Sequence, residues 1–286
     1  MNRVGRLLAI GVLGTLCFLL PVCASAKEQR RETGSHPAIR PLPPQSKRPL
    51  NDGPAYFVHP VDGSDDATGS KDQPWATINH ALRQLSAGDT LYLRDGTYFE
   101  NIYCAVAGTK RKPVTIRAYP SERAIIDGGL PHFQTDASSA WKPAESRAKG
   151  EFVSTRIFKN IRDVVGAFGD SNVGLQTYWH ATDMRATNEM WILDKETKAI
   201  APVYCGTALW YDKPTARIHI RLAHTHIDNP DVANYAGETD PRKLPLVIAP
   251  FKSVPLMIDQ AMHVRFQDLV IRGGGLNTVV LQFGVD

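Results

Sequence analysis

The sequence predicts an all-β chain built as a solenoid of short strands, with a capping helix near its start and a β-rich antiparallel insertion in its middle. Three observations predict it. Aliphatic strands recur at an offset of 23 residues near both ends, Leu91 to Val114 and Leu256 to Val279. A period in the 20s carried by short strands marks a coil whose turns bury their apolar faces only against one another. Ahead of the first strand pair, Ile78, Ala81, Leu82 and Leu85 recur at i, i+3, i+4 and i+7, which places them on one helical face. Between the two strand pairs, residues 130–250 lose the period and hold strand–turn–strand units, whose short turns imply antiparallel pairing.

Residues 1–26 read as a cleavable signal peptide. Arg3 and Arg6 precede an apolar run over 7–20, and Ala24-Ser25-Ala26 ends it in small residues. The run is shorter than the roughly 20 residues that span a bilayer. Residues 27–50 read as a Pro-rich basic linker, with five prolines among polar side chains and too little apolar surface for a core. The formal charge of the whole chain is +4. The leader carries two of the arginines, and the linker carries six Lys/Arg against Glu28 and Glu32, so residues 51–286 hold about −2. A folded part of that sign lacks the basic footprint of a nucleic-acid-binding protein.

The first ordered stretch, residues 51–129, is read as the cap and first coils. Tyr56-Phe57-Val58 is a short strand, and the turn formers of Asp62 to Gly69 follow it. A helix is expected over Ala76 to Leu85, ended by Gly88. Thr90 to Arg94 then alternates at period two into Asp95-Gly96, a turn signal, and Val114 to Arg117 alternates likewise. In the 130–250 insertion, Met190 to Leu193 with Ile200 to Tyr204 form one strand–turn–strand unit. Ala208 to Tyr211 with Arg217 to Leu222 form another. Residues 251–286 return to coil-like strands and stop at Asp286 without an evident cap. That ending fits the N-terminal part of a longer protein.

Tyr56-Phe57-Val58, Asp62-Gly63-Ser64-Asp65, Gly69, Pro74-Trp75-Ala76-Thr77-Ile78, Ala81-Leu82, Gly88-Asp89-Thr90-Leu91-Tyr92-Leu93 and Gly96-Thr97-Tyr98 carry a resemblance. With Pro113 to Ala118 and Ile126-Asp127-Gly128-Gly129, they make residues 56–129 similar to the N-terminal segment of right-handed parallel β-helix proteins of the pectate-lyase-like polysaccharide lyase superfamily. The resemblance implies a right-handed parallel β-helix in which the helix and Trp75 close the first coil. It implies a secreted carbohydrate-active protein, periplasmic or extracellular, acting on or binding an acidic polysaccharide. Lyase chemistry ranks ahead of hydrolysis, calcium is a cofactor by analogy alone, and the full-length protein is expected to be a monomer. The family also includes non-catalytic surface or adhesion solenoids, and that alternative stays open. Catalytic residues are expected on coils beyond Asp286, and none is assigned.

Several side chains are candidates for binding. The strand Arg217 to Leu222 places Ile218, Ile220 and Leu222 on one face and Arg217, His219 and Arg221 on the other. Beside Trp210 and Tyr211, that basic strip is a candidate carbohydrate-binding surface, because aromatic rings stack on sugars and Arg grips carboxylates. An ordinary half-exposed strand shows the same alternation. Asp259, His263, Arg265, Asp268 and Arg272 supply acid–base types near the last coils, although any solvated coil has such an outer face. Asp62, Asp65 and Asp66 lack the spaced ladder of a calcium loop. His219, His224 and His226 lack a further ligand at zinc-binding spacing. Cys104 and Cys205, the two cysteines after the leader, have one possible pairing, and whether they are bridged is open.

Overall fold

A computed structural model describes residues 43–146, 148–169, 171, 173–190, 195–196, 200–229 and 233–283. The leader, the first part of the 27–50 linker and, within the 190–204 strand–turn–strand unit, residues 191–194 and 197–199 lie outside the described residues.

The chain enters the solenoid through β1 (Ala55–Val58), crosses a loop to α1 (Ile78–Leu82) and returns to β2 (Thr90–Leu93), which pairs in parallel with β1. The helix is shorter than its apolar spacing predicts. Thr77 is extended and its side chain accepts the His80 amide as an N-cap, while Arg83 closes the other end. The missing first turn is replaced by carboxylates. Asp65 accepts the Ala76 and Thr77 amides at 3.0 and 2.9 Å, and Glu100 takes those of Ile78 and Asn79 at 2.8 and 3.1 Å. Donors left over at a helix start need such partners when they are partly buried. Trp75 seals the entry: its ring stacks on Tyr56 at 5.1 Å and its Nε1 donates to the Ala67 carbonyl. Gly69, at φ +73°, lies against that indole, and a Cβ there would come within 2.5 Å of it. Only glycine fits both the conformation and the space.

One full coil follows from β2, β3 (Gly96–Tyr98) and β4 (Ile102–Cys104), and the next begins with β5 (Val114–Ala118) and β6 (Ala124–Asp127). After Asp127 the chain leaves the solenoid. Two short helices, α2 (His132–Thr135) and α3 (Ala137–Ala140), lead to β7 (Trp141–Pro143), β8 (Glu151–Ser154), β9 (Val164–Phe168) and β10 (Gly174–Thr177). A further short helix, α4 (Ala181–Met184), precedes β11 (Ala208–Asp212), β12 (Arg217–Arg221) and β13 (Leu246–Pro250). These strands form a seven-stranded sheet in the order β13-β9-β10-β11-β12-β8-β7, antiparallel throughout except for β10 beside β11. Its core is separate from that of the coils and is built on Phe133, Trp141, Leu209, Ile218, Ile220 and Ile248.

The chain rejoins the solenoid where it left. β14 (Leu256–Asp259) completes the interrupted coil by pairing in parallel with β4, and β15 (Val264–Gln267), β16 (Leu269–Arg272) and β17 (Val279–Gln282) make the last one. The result is three parallel sheets, ordered β1-β2-β5-β15, β16-β6-β3 and β17-β14-β4. Side chains stack between coils as the alternation requires: Leu91 on Ile116 on Phe266 inside one sheet, Ile102 on Leu256 on Val279 inside another. Leu91, Leu93, Ile116 and Ile126 have no exposed surface. Full burial of each contributes about 1.5–3 kcal/mol.

Two expectations are corrected in these coils. The 23-residue offset is the true register for Leu256 and Val279, but Leu91 lies opposite Ile116, 25 residues on. β5 begins one residue ahead of β2, so that Thr115 donates to the Asp89 carbonyl and Val114 overhangs the pair. Residues 43–50, read as part of a solvated linker, instead lie across the outside of the β1-β2-β5-β15 sheet. The Ser46 amide donates to Asp268 at 2.6 Å, Arg117 donates to the Ser46 carbonyl, and Arg265 donates to that of Pro49. Polar composition hides such a segment, because main-chain hydrogen bonds hold it in place of apolar burial.

Candidate functional site

The candidate strip on β12 does face away from the insertion's core, but it is not an open surface. Arg217 donates to the carbonyls of Ser154 and Thr155. Arg221 donates to those of Met184 and Ala186 at 2.9 and 2.8 Å, with its guanidinium 4.2 Å from the Tyr204 ring centroid. His219 is buried, and its Nδ1 lies 2.7 Å from Glu151. The end of β8 takes up the Arg217 donors, Glu151 on β8 engages His219, and the segment at α4 takes up donors of Arg221, which corrects the reading of Arg217, His219 and Arg221 as a free cationic grip. Tyr211 is also buried, with its Oη donating to Phe158 O at 2.8 Å.

Glu151 is the centre of that buried network. Its side chain has no exposed surface and accepts from His219, from Arg185 through Nε and Nη2 at 2.8 Å each, and from Ser146. Burial alone pushes the carboxyl upward, but the hydrogen bonds from His219, Arg185 and Ser146 outweigh it and hold the group at about 2. The indole of Trp210 lies over this network, 4.8 Å from the His219 ring and 5.4 Å from the Arg185 guanidinium. An imidazole whose carboxylate partner is already shared with a guanidinium is fixed in place, and its role here is to hold β12, β8 and the 185 segment together.

Trp210 also reaches the surface. With Asp163, Trp179, Tyr211, Asp212 and Lys213 it lines a shallow cleft of about 190 Å³ at the β11–β12 turn. Trp179 sits just beyond β10, is 63% exposed and makes no hydrogen bond or ring contact among the described residues. Asp163 is 4% exposed; one carboxylate oxygen accepts the Val164 amide and the other has no hydrogen-bond partner among the described residues. The Tyr211 phenol is raised, chiefly by burial and further by Asp163 and Asp212. Of the residues lining this cleft, the sequence singled out Trp210 and Tyr211 and not Trp179 or Asp163. The adjacent aromatics Tyr178-Trp179 were the available signal, since one of two neighbours on a strand end must face outward.

The remaining candidates resolve into structural roles. Asp268 pairs with Arg117 at 2.6 Å, and Arg272 donates to Asp127, Gln134 and the Gly169 carbonyl. Asp259 accepts from Tyr103 Oη at 2.7 Å, and His263 occupies a coil corner at φ +50°. Asp65 is committed to the start of α1, leaving Asp62 and Asp66 at the surface. His224 bonds to the Gly237 carbonyl and His226 is 4.0 Å from Glu189. Among the described residues, no three His, Cys, Asp or Glu side chains gather as metal ligands. The two cysteines are free thiols, Cys104 buried inside the coil and Cys205 exposed on the insertion, so the possible pairing is not made. No helix among the described residues is long and apolar enough to cross a membrane.

The cap, the stacked parallel strands and the three sheets define a parallel β-helix, and residues 56–154 match the family described as Pel9A-like, right handed beta helix region. Two curated proteins are similar over a part of the chain. Pectate lyase PEL9 of Emericella nidulans is 49% identical over 74 residues, which cover 25% of this chain and 18% of that protein. The uncharacterized protein YwoF of Bacillus subtilis is 40% identical over 76 residues, 27% of this chain and 16% of that one. The matched stretch is thus under a fifth of either relative. Among solved structures, the complex of XylC with xylose aligns at a TM-score of 0.44 and 17% identity, covering 73% of this chain and 35% of the other.

Proposed function

We propose that this chain belongs to a secreted carbohydrate-active protein that acts on an extracellular acidic polysaccharide by lyase chemistry. The observation that carries the reading is the 49% identity to a pectate lyase over 74 residues. Breaking a uronide by elimination needs a cation or arginine to neutralise the sugar carboxylate and a base to remove the adjacent proton. The fold supplies a rigid stack on which successive coils present such groups at fixed spacing. The test is incubation of the complete protein with polygalacturonate, alginate and chondroitin, with and without calcium, while the absorbance of unsaturated uronides is followed. Release from at least one polymer is expected, and no release from any of them removes the lyase reading.

A binding-only role is the second reading, and one feature favours it. Four charged groups on the described coils are engaged with each other, Asp268 with Arg117 and Arg272 with Asp127, and so are not poised as a free acid–base pair. Polysaccharide binding without release of any product would support that role.

A further inference from the structure

The geometry points to a sugar-binding subsite in the cleft between Trp179 and Trp210, shaped for a single neutral pyranose of a glycan chain. The proposal goes beyond the lyase reading, because it places recognition on the insertion and assigns it a different class of sugar. Three observations carry it. Trp179 offers an exposed indole, 63% accessible and without a partner among the described residues. A large aromatic surface left in water is the uncommon case that asks for an occupant. The apolar C–H face of a pyranose is such an occupant, while its hydroxyls remain free to meet polar groups at the ring edge.

Those groups are present. Asp163 lines the cleft with one carboxylate oxygen accepting the Val164 amide and the other without a donor among the described residues. A sugar hydroxyl supplies the missing donor. Asp212 and Lys213, from the β11–β12 turn, line the same space and extend the polar rim. Trp210 is held in place from behind by His219 and Arg185, so one wall of the cleft is fixed before any ligand arrives.

Charge chooses between sugars. Among the residues that line the cleft, two carboxylates stand against one ammonium and leave it negative, and Arg185 behind Trp210 is committed to Glu151. A uronate carboxylate would meet Asp163 and Asp212 with like charge. A neutral hexose or pentose meets them as a hydrogen-bond donor. The volume of about 190 Å³ admits one ring and leaves the rest of a chain in solvent.

Native electrophoresis of the complete protein in gels containing galactan, xylan, glucomannan or polygalacturonate tests the proposal. Retardation is expected in at least one neutral polymer. W179A should abolish it, and D163N should raise the apparent Kd about tenfold or more, as loss of a hydrogen bond to a charged group implies. Both variants should melt with the wild type, since Trp179 touches little and the carboxamide of D163N keeps an oxygen that accepts the Val164 amide. Absence of retardation in every neutral polymer, retardation by polygalacturonate alone, or full retardation of W179A would each overturn it. The readout is independent of uronide release, so this subsite and the lyase reading fail separately.

Discussion

Asp268 and Arg117 meet at 2.6 Å across neighbouring coils, each side chain only 8% exposed, and the Ser46 amide donates to the same carboxylate. One ion pair therefore ties three stretches of chain: the segment over the sheet, the coil of β5 and the coil of β15. Removing one partner of a buried pair leaves an uncompensated charge, at a cost of about 3–5 kcal/mol. D268A should lower the urea midpoint accordingly. A double variant R117M/D268L should recover most of the loss, because apolar replacements of similar volume need no counter-charge. If D268A leaves the midpoint unchanged, the pair does not hold the segment.

Glu151 makes the insertion sensitive to acid. Its carboxyl sits at about 2 in the folded chain and near 4.5 when unfolded, so the folded state binds the proton more weakly. The stabilisation is present above the unfolded value and is lost as pH falls from about 4.5 through about 2. Its ceiling is about 3 kcal/mol. Denaturation followed from pH 6 to 2 should show that loss in the wild type. E151Q should be less stable at pH 6 and flatter toward acid. Parallel curves for the two proteins would remove Glu151 as the source.

Glu100 holds the start of α1 from the corner between β3 and β4, with both oxygens engaged by the Ile78 and Asn79 amides. E100A should destabilise the cap by about 1–2 kcal/mol, the usual loss when a helix start is stripped of its acceptor. The accompanying readout is hydrogen exchange, which should accelerate at Ile78 and Asn79 before it does at Leu91. Uniform acceleration through the coils would mean that the cap and the coils open together.

The thiols should separate by reactivity. Burial raises the Cys104 thiol, which has no exposed surface, whereas Cys205 is exposed although its pKa also lies above the ordinary value through partial burial. Alkylation of the native protein followed by peptide mapping should label Cys205 and spare Cys104 until denaturant is added. Reductant should not shift the melting temperature. A drop on reduction would show that a bridge contributes to the fold.

The coils were legible because their side chains obey a local rule. Alternation at Leu91 and Leu93, and at Val114 and Ile116, identified the inward faces, and a repeated offset joined distant strands. Register was less legible, since where a strand starts depends on the neighbour it overhangs, as Val114 does beyond Thr90. The helix came out two residues late because Asp65 and Glu100, distant from it in the loop and the coil corner, take the donors of its first turn. Nothing within residues 43–50 announces Asp268 as a partner. The basic face of β12 looked solvated because carbonyls of Met184 and Ala186, its true acceptors, belong to main chain and leave no mark in residue type.

The excursion from Asp127 to Leu256 sets the order in which the molecule can be assembled. β4 emerges early, yet the strand that lies beside it, β14, follows residues 128–255, so the wall under Ile102 and Cys104 stays open while the whole insertion is made. Closing so long a loop is entropically slow. During synthesis the early coils therefore wait half-roofed, and the insertion, whose sheet needs no strand from the solenoid, is free to fold first and deliver β14 to its place.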